Sequence, residues 1–226
     1  NIFQIYFCIK IFGFEFIEEI GSYAFQNCNS LKQITLYEHT ILRPHAFEDC
    51  GLLESIHLAG EQNNIHLCEY ALSGCTALHQ ITRQGQLWEL QTYTDILSET
   101  IPEIVRLLFH SAFSCFEIRN EETLCAYRGY GKIIKIPLGI KTIRAEVFRD
   151  ILMLKQVSIP KTVEYIGARA FHGTAWIENQ RKLSPMVVVN HMLLDGSSCI
   201  GDITIPKDIW LVCGWAFAGG MGIEKI

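Results

Sequence analysis

The apolar positions of this chain recur in one pattern every 22 to 25 residues. The segments CNSLKQITL, CGLLESIHL and CTALHQITR begin at Cys28, Cys50 and Cys75, and each places a cysteine, a leucine and an isoleucine three residues apart. A repeat of this length is typical of proteins in which one copy cannot bury its own apolar side chains and stacks on the next copy. We therefore predict stacked repeats that share one continuous core.

An Ala-Phe pair marks further copies of the repeat. It precedes the cysteine at Ala24-Phe25 and at Ala46-Phe47, whereas the third copy has Ala71-Leu72. Related segments return as IKTIRAEVFRDILMLKQVSIP, VEYIGARAFHGTAWI and ITIPKDIWLVCGWAFAGGMGIEKI. The segment YFCIKI, Tyr6 to Ile11, fits the strand half of an earlier copy. We predict that the small repeated cysteines serve packing, because a free cysteine behaves as a small buried hydrophobe.

Each copy contains a short predicted strand that exposes its polar positions. Within LKQITL, Ile34 and Leu36 are expected to point inward and Thr35 outward, because side chains alternate along a strand. Parallel strands lie about 4.8 Å apart, so equivalent outward side chains form a ladder. Its mixed, mostly uncharged character suits a protein or a glycan better than an anion. The candidate ligand-binding residues are Lys32, Gln33, Thr35, Glu54, Ser55, His57, His79, Gln80 and Thr82, with Lys155, Gln156 and Ser158 in the later copies.

The segment LKQVSIPKTVEYIGARAFHGT, Leu154 to Thr174, resembles the repeat of the BspA-like (Treponema pallidum type) leucine-rich repeat family. That repeat has the pattern Leu-x-x-Ile-x-Ile-Pro-x-x-Val-x-x-Ile-Gly-x-x-Ala-Phe-x-x-Cys, and Gly173-Thr174 departs from it near the cysteine position. The resemblance covers roughly residues 6–82 and 133–226. It implies a mainly β repeat solenoid, a leucine-rich-repeat horseshoe with a parallel concave sheet and short turns or 3-10 segments.

The resemblance also implies a function and a location. Members of the family are mostly surface or secreted proteins of bacteria and some protists. They are linked to adhesion and protein binding and have no catalytic residues common to the family. The resemblance therefore favours a cell-surface or secreted bacterial protein, with a cytoplasmic location as the alternative.

Two stretches interrupt the repeat. The segments GQLWELQTYTDILS and TIPEIVRLLFHSAF have near-helical apolar spacing, and the second opens with a Thr-x-x-Glu capping box, so they predict two helices. Alternating apolar residues on both sides of Asn190-His191 predict a β-hairpin insertion near residues 176–202. We therefore predict leucine-rich repeat blocks at residues 1–82 and 115–226, joined by a helical connector at residues 83–114.

Charge and composition exclude several other classes. The formal net charge is −5 and no long Lys/Arg run is present, so nucleic-acid binding is not expected. No apolar run approaches the roughly 18 residues that a transmembrane helix needs. The nine cysteines are an odd number in a long chain, which does not favour a disulfide framework.

Sequence motifs for catalysis are missing. The chain has no Gly-x-Ser-x-Gly, His-Glu-x-x-His or Cys-x-x-Cys segment, and its eight histidines are scattered. We therefore predict no enzymatic activity, no metal site and no cofactor. A hydrolase would have to use the insertion, where His191, Asp195, Ser197 and Ser198 are the candidate residues.

Two further hypotheses on function remain. The first is a non-enzymatic adhesion or binding module that recognises a protein or a glycan through the solenoid surface. The second is an intracellular protein-interaction scaffold or effector that docks through the helical connector. Unpaired cysteines and the lack of a visible signal peptide favour the second.

Overall fold

The computed structural model of the chain describes residues 17–60 and 64–226, so the strand expected at Tyr6–Ile11 lies outside the described residues. Short strands predominate, with a 3-10 helix at Tyr93–Leu97 and two α-helices, α1 (Glu103–Phe113) and α2 (Ala175–Leu183). In chain order the strands are β1 (Glu19–Ile20), β2 (Gln33–Leu36), β3 (Ile41–Leu42), β4 (Ser55–Leu58), β5 (His66–Leu67), β6 (Gln80–Arg83), β7 (Gln86–Glu89), β8 (Phe116–Arg119), β9 (Thr123–Tyr127), β10 (Ile133–Lys135), β11 (Thr142–Ile143), β12 (Gln156–Ser158), β13 (Tyr165–Ile166), β14 (Val187–Val189), β15 (Met192–Asp195), β16 (Gly201–Asp202), β17 (Leu211–Val212) and β18 (Ile223–Lys225).

The chain forms two compact units. The first unit contains the described residues up to Cys115 together with Gly129–Pro137. The second unit contains Phe116–Arg128 and Leu138–Ile226.

Parallel sheets organise the first unit. Strands β1, β3 and β5 form one sheet, and β2, β4, β6 and β7 form another, in which β2, β4 and β6 are parallel. Ile34 pairs with Ile56 and Ile56 with Ile81, and all three side chains are buried. The inward isoleucines of successive copies therefore meet in one apolar row, as the repeat spacing predicts.

The turns of successive copies are also bonded to one another. The backbone N–H of Phe25 donates to the carbonyl of Ala46 at 2.7 Å, and that of Phe47 donates to the carbonyl of Ala71 at 2.8 Å. The rings of Phe25 and Phe47 stack with their centroids 5.0 Å apart. The Ala-Phe segment thus forms backbone hydrogen bonds between copies, and its phenylalanine ring fills the space behind the turn.

Each turn contains two residues in the left-handed backbone region, four positions apart, as at His45 (φ 61°) and Asp49 (φ 58°). The second position holds residue types that tolerate this conformation, such as Asn27 and Gly74. The first position holds larger side chains, which we call the turn row: Tyr23, His45 and Tyr70 in the first unit, and Glu146, Arg169 and Trp215 in the second.

The repeated cysteines are packed inside the turns. Cys50 and Cys75 are fully buried, and their Sγ atoms donate to the carbonyls of Phe25 and Phe47, each at 3.1 Å. The eight cysteines of the described part of the chain are all free thiols. Their positions support the packing interpretation.

The prediction of the first helix in the connector is wrong. Gln84 and Gly85 have φ angles of 48° and 78°, which makes a two-residue turn that reverses the chain, and β7 then pairs antiparallel with β6. Within the segment predicted to form this helix, only Tyr93–Leu97 is helical, as a 3-10 helix. The second helix is present as α1, and Ile104, Val105, Leu108, Phe109, Ala112 and Phe113 are its buried residues.

The second unit begins with a hairpin. Strands β8 and β9 are antiparallel, and β9, β11 and β13 continue the same sheet in parallel. Helix α2 follows, with Thr174 at its N-cap: the Thr174 Oγ accepts from the backbone N–H of Ile177 at 3.1 Å and donates to the carbonyl of Phe171 at 2.8 Å.

Strands β14 and β15 form an antiparallel hairpin, and β15 pairs in parallel with β17. The turn of this hairpin is Asn190-His191, and both residues have positive φ, as a two-residue turn requires. Strands β16 and β18 form a further parallel pair.

Candidate ligand-binding face

The first unit brings equivalent polar side chains into register on one side of a sheet. Gln33 pairs with Ser55 and Ser55 with Gln80, while Thr35 pairs with His57 and His57 with Thr82. The intervening residues are buried, so these six side chains occupy the other side of the sheet. We call the outward side of β2, β4, β6 and β7 the ladder face.

Side-chain hydrogen bonds tie neighbouring strands of the ladder face together. His57 Nδ1 lies 2.9 Å from Thr82 Oγ1, and Gln80 Nε2 donates to Glu89 Oε1 at 3.1 Å. These bonds restrict the rotamers of the four side chains. A partner that binds here therefore meets polar groups whose positions are partly fixed in advance.

The three residues that precede the strands are also aligned. The backbone N–H of Glu54 donates to the carbonyl of Lys32 at 2.8 Å, and that of His79 donates to the carbonyl of Glu54 at 3.1 Å. Lys32 and Glu54 are exposed, whereas His79 is half-buried with Nδ1 3.0 Å from the carbonyl of Ala77. This edge of the ladder face carries charges of both signs.

The remaining candidates lie elsewhere. Lys155, Gln156 and Ser158 belong to the second unit, and β12, which contains two of them, is not a strand of the ladder-face sheet. All three side chains are exposed. They remain a separate predicted set.

Two residues of the ladder face were missed by the sequence prediction because β7 was assigned to a helix. Leu87 pairs with Thr82 and Glu89 pairs with Gln80, so both point to the ladder face. Leu87 is 51% exposed and adds an apolar group beside the polar rows. The pair Gln84-Gly85, followed by the alternation of Gln86 to Glu89, is the sequence signal that identifies this hairpin.

His191 and Ser197, a histidine and a serine proposed for a hydrolase, have different hydrogen-bond partners. His191 Nδ1 pairs with Asp208 Oδ2 at 3.0 Å, while Ser197 Oγ donates to Asp195 Oδ1 at 2.8 Å. Asp195 is also bonded by two nitrogens of Arg181. The histidine and the serine therefore serve different partners, and no nucleophile–base pair of the usual kind is formed between them.

Residues 17–60 and 64–226 offer neither a metal-binding cluster nor a membrane-spanning helix. No cluster of three or more His, Cys, Asp or Glu side chains there has the geometry to hold a metal ion. In the same part of the chain, no helix combines the length and apolar character that crossing a bilayer requires.

Strands that repeat in parallel register every 22 to 25 residues, with leucine and isoleucine inside, define a leucine-rich repeat protein. The model of the BspA-type leucine-rich repeat region matches residues 6–116 and 122–226 in six copies. The chain belongs to the BspA-type leucine-rich repeat family. Proteins built from such repeats generally present extended surfaces for binding.

Two solved structures are similar to the chain. A leucine-rich repeat protein from Bacteroides ovatus is 19% identical with a TM-score of 0.29, over 91% of this chain and 57% of that one. A leucine rich cell surface protein from Faecalibacterium prausnitzii is 18% identical with a TM-score of 0.24, over 91% of this chain and 50% of that one. The chain thus spans about half the length of both proteins. No curated protein matches the chain significantly.

Proposed function

We propose that the chain is a non-enzymatic binding module, and that its ladder face recognises a protein ligand. The observation that carries the proposal is the register of three repeats, which aligns Thr35, His57 and Thr82 in one outward row. In this proposal the repeats of each unit stack as a solenoid. The variable outward positions then determine specificity while the inward positions maintain the fold.

The chemistry of the ladder face favours a protein over an anion. Its two rows are mostly uncharged donors and acceptors, and Leu87 supplies an exposed apolar group next to them. Protein interfaces combine an apolar centre with surrounding hydrogen-bonding groups, as this face does. A bacterial cell-surface or secreted location is part of the proposal and rests on the family. A glycan remains the alternative ligand for this face.

The second candidate function is an intracellular scaffold that docks through the connector. One face of helix α1 packs against the first unit. Its side chains, which are fully buried, are Val105, Leu108, Phe109 and Ala112. The exposed apolar side chain of the helix is Leu107, at 46%. Helix-in-groove recognition needs a row of apolar anchors at helical spacing, and one leucine offers less than that.

A triple substitution tests the ladder face. Binding of the chain to a panel of purified extracellular-matrix proteins is measured by surface plasmon resonance, and Thr35→Ala, His57→Ala and Thr82→Ala are then combined in one variant. We expect the dissociation constant of any binder to rise at least about tenfold, because central interface residues carry most of the binding energy.

The matched control combines Gln26→Ala, Thr94→Ala and Thr100→Ala, which are exposed polar residues outside the ladder face. It is expected to leave the affinity within about twofold of the original value. Equal affinity of both variants would contradict the choice of face. Binding to none of the proteins would count against the proposed function itself.

A further inference from the structure

The stacking of turns is interrupted once in the second unit. In the regular pattern the N–H of the turn phenylalanine donates to the alanine carbonyl of the next copy, as Phe148 does to Ala170 at 2.8 Å. The carbonyl of Ala216 instead accepts from the backbone N–H of Gly196 at 2.7 Å. The turn of the inserted hairpin therefore occupies the place next to the last Ala-Phe turn.

The inserted turn is shorter than the turns on either side. In the regular copy, five positions separate the end of strand β13, at Ile166, from the turn residue Phe171. In the inserted hairpin, only three positions separate the equivalent strand residue, Leu193, from the turn residue Gly196. On the other side of the hairpin, Asn190 Nδ2 donates to the carbonyls of Pro160 and Val163 at 2.9 and 3.0 Å. The hairpin is thus held between two regular copies but contributes no residue to the turn row.

A cavity of about 280 Å³ lies beside this shorter turn. Arg169 and Trp215, the turn-row residues of the copies before and after the hairpin, line it, and Ile177 and Leu194 contribute apolar walls. The volume is close to the lower end of the range for small-molecule sites, about 300 to 1,000 Å³. The cavity is therefore large enough for a small ligand or for one residue of a longer one.

The charged groups around the cavity are already paired. Arg181 donates to both carboxylate oxygens of Asp195 and also to Glu178, and Arg169 Nη2 donates to Glu146. Burial raises the pKa of the Cys213 thiol to about 11, so this lining group is neutral near pH 7. The cavity has no excess positive charge, which disfavours an anionic ligand and favours an uncharged polar one.

Trp215 adds an aromatic surface at the rim. The residue is 63% exposed and its backbone has a φ of 70°, a region that is strained for a bulky residue. The guanidinium of Arg169 lies 4.5 Å from the ring centroid. A guanidinium has five N–H donors, and Glu146 accepts from Nη2. The guanidinium lies over one face of the indole ring and leaves the other face open to a ligand. An open aromatic face with N–H donors near its edge suits a ring that has C–H faces and hydroxyl groups.

We infer that this cavity, lined by Arg169, Trp215 and the Arg181–Asp195 pair, is a binding site for an uncharged pyranose sugar. The sugar packs its C–H face against the face of Trp215 that Arg169 leaves open, and a hydroxyl oxygen that extends past the edge of the ring accepts a hydrogen bond from Arg169. The site belongs to the second unit and shares no residue with the ladder face. It is therefore a separate property from the proposed protein-binding function, and each can fail without the other.

Saturation-transfer NMR on the full chain tests the inference with methyl glycosides of glucose, galactose, mannose and N-acetylglucosamine, each at about 10 mM, enough to populate a millimolar site. Glucuronic acid and N-acetylneuraminic acid are the charged probes. We expect at least one neutral glycoside to give a transfer signal, and expect it to bind more tightly than either acid. Its signal should be lost on Trp215→Ala and on Arg169→Ala, and retained on Trp215→Phe.

The matched control is Tyr70→Ala. Tyr70 is also an exposed, left-handed aromatic residue of the turn row, but it lies in the first unit and stacks on His45. Its loss is expected to leave the sugar signal unchanged. The inference is overturned if no neutral glycoside binds, if an acidic sugar binds more tightly than the neutral ones, or if binding survives in Trp215→Ala. The thermal unfolding midpoint of each variant shows whether it is folded.

Discussion

The Phe148→Ala variant is expected to lose about 3 to 5 kcal/mol of unfolding free energy in the second unit. Phe148 is fully buried, and its ring centroid lies 5.0 Å from that of Phe171 and 5.3 Å from that of Tyr127. Removing the ring exposes two aromatic neighbours to a cavity that the stacked backbone cannot close. The loss therefore combines the transfer free energy of the ring with the cost of the cavity.

Urea unfolding followed by tryptophan fluorescence measures this effect. Three of the four tryptophans, Trp176, Trp210 and Trp215, are in the second unit, so the signal reports mainly on it. Leu152→Ala is the control, because Leu152 lies in the same copy but is 71% exposed. The control should change stability by less than about 0.5 kcal/mol. A loss below about 1 kcal/mol in Phe148→Ala would contradict the packing of the phenylalanine stack.

Asp49→Asn is expected to stabilise the first unit by about 2 to 3 kcal/mol at pH 8 and by little at pH 4. The Asp49 side chain is buried, and Oδ1 has no hydrogen-bond partner among the described residues. Burial, and then the charge of Glu48, raise the pKa of the Asp49 carboxyl to about 6. Asparagine suits the left-handed backbone at this position, and Asn27 occupies the equivalent position of the preceding copy.

The direction with pH follows from the raised pKa. Below about pH 4 the carboxyl is protonated in both the folded and the unfolded chain, so the wild type carries no penalty. As the pH rises towards 6, the unfolded state releases its proton more readily than the folded state, and wild-type stability falls. Above the pKa of Asp49 in the folded state, the loss of unfolding free energy reaches its full value. The Asp49→Asn substitution removes this loss because asparagine carries no charge.

Urea unfolding at pH 4 and pH 8 checks this expectation. Asp150→Asn is the matched control, because Asp150 occupies the same left-handed position in the second unit but its side chain is 62% exposed. The free energy of unfolding at pH 8 relative to that at pH 4 should differ between Asp150→Asn and the wild type by only a few tenths of a kcal/mol. Identical pH profiles for Asp49→Asn and the wild type would show that the buried carboxyl carries no penalty.

The regular parts of the fold follow from the sequence because spacing determines register. Ile34, Ile56 and Ile81 are separated by 22 and 25 residues, and each is the buried centre of a strand. Once these residues are stacked, the polar neighbours on either side must align as well, because side chains alternate along a strand. The alignment of the six polar residues next to these isoleucines was therefore predictable to the residue.

The irregular parts of the fold depend on the backbone conformation and the length of the turns, which the spacing of apolar residues does not predict. Leu87 and Leu90 fit both a helix and a strand, and the left-handed pair Gln84-Gly85 decides for the strand. Helix α2 was not predicted, although Thr174 is a typical N-cap residue. The cavity beside Trp215 lies next to a turn that is two residues shorter than its neighbours, a difference that becomes visible only when β15 is paired with β17.

A comparison of two exposed leucines tests the ladder face as the recognition surface most directly. Leu87, on the ladder face, is 51% exposed, and Leu107, on α1, is 46% exposed, so Leu87→Ala and Leu107→Ala remove similar apolar surface from two different sites. The probe is the extracellular-matrix protein that binds the wild-type chain most tightly, and the dissociation constant is measured for both variants. We expect Leu87→Ala to weaken binding about tenfold and Leu107→Ala to have less than a twofold effect. Weaker binding in Leu107→Ala with unchanged binding in Leu87→Ala would contradict the ladder face and favour docking through the connector helix.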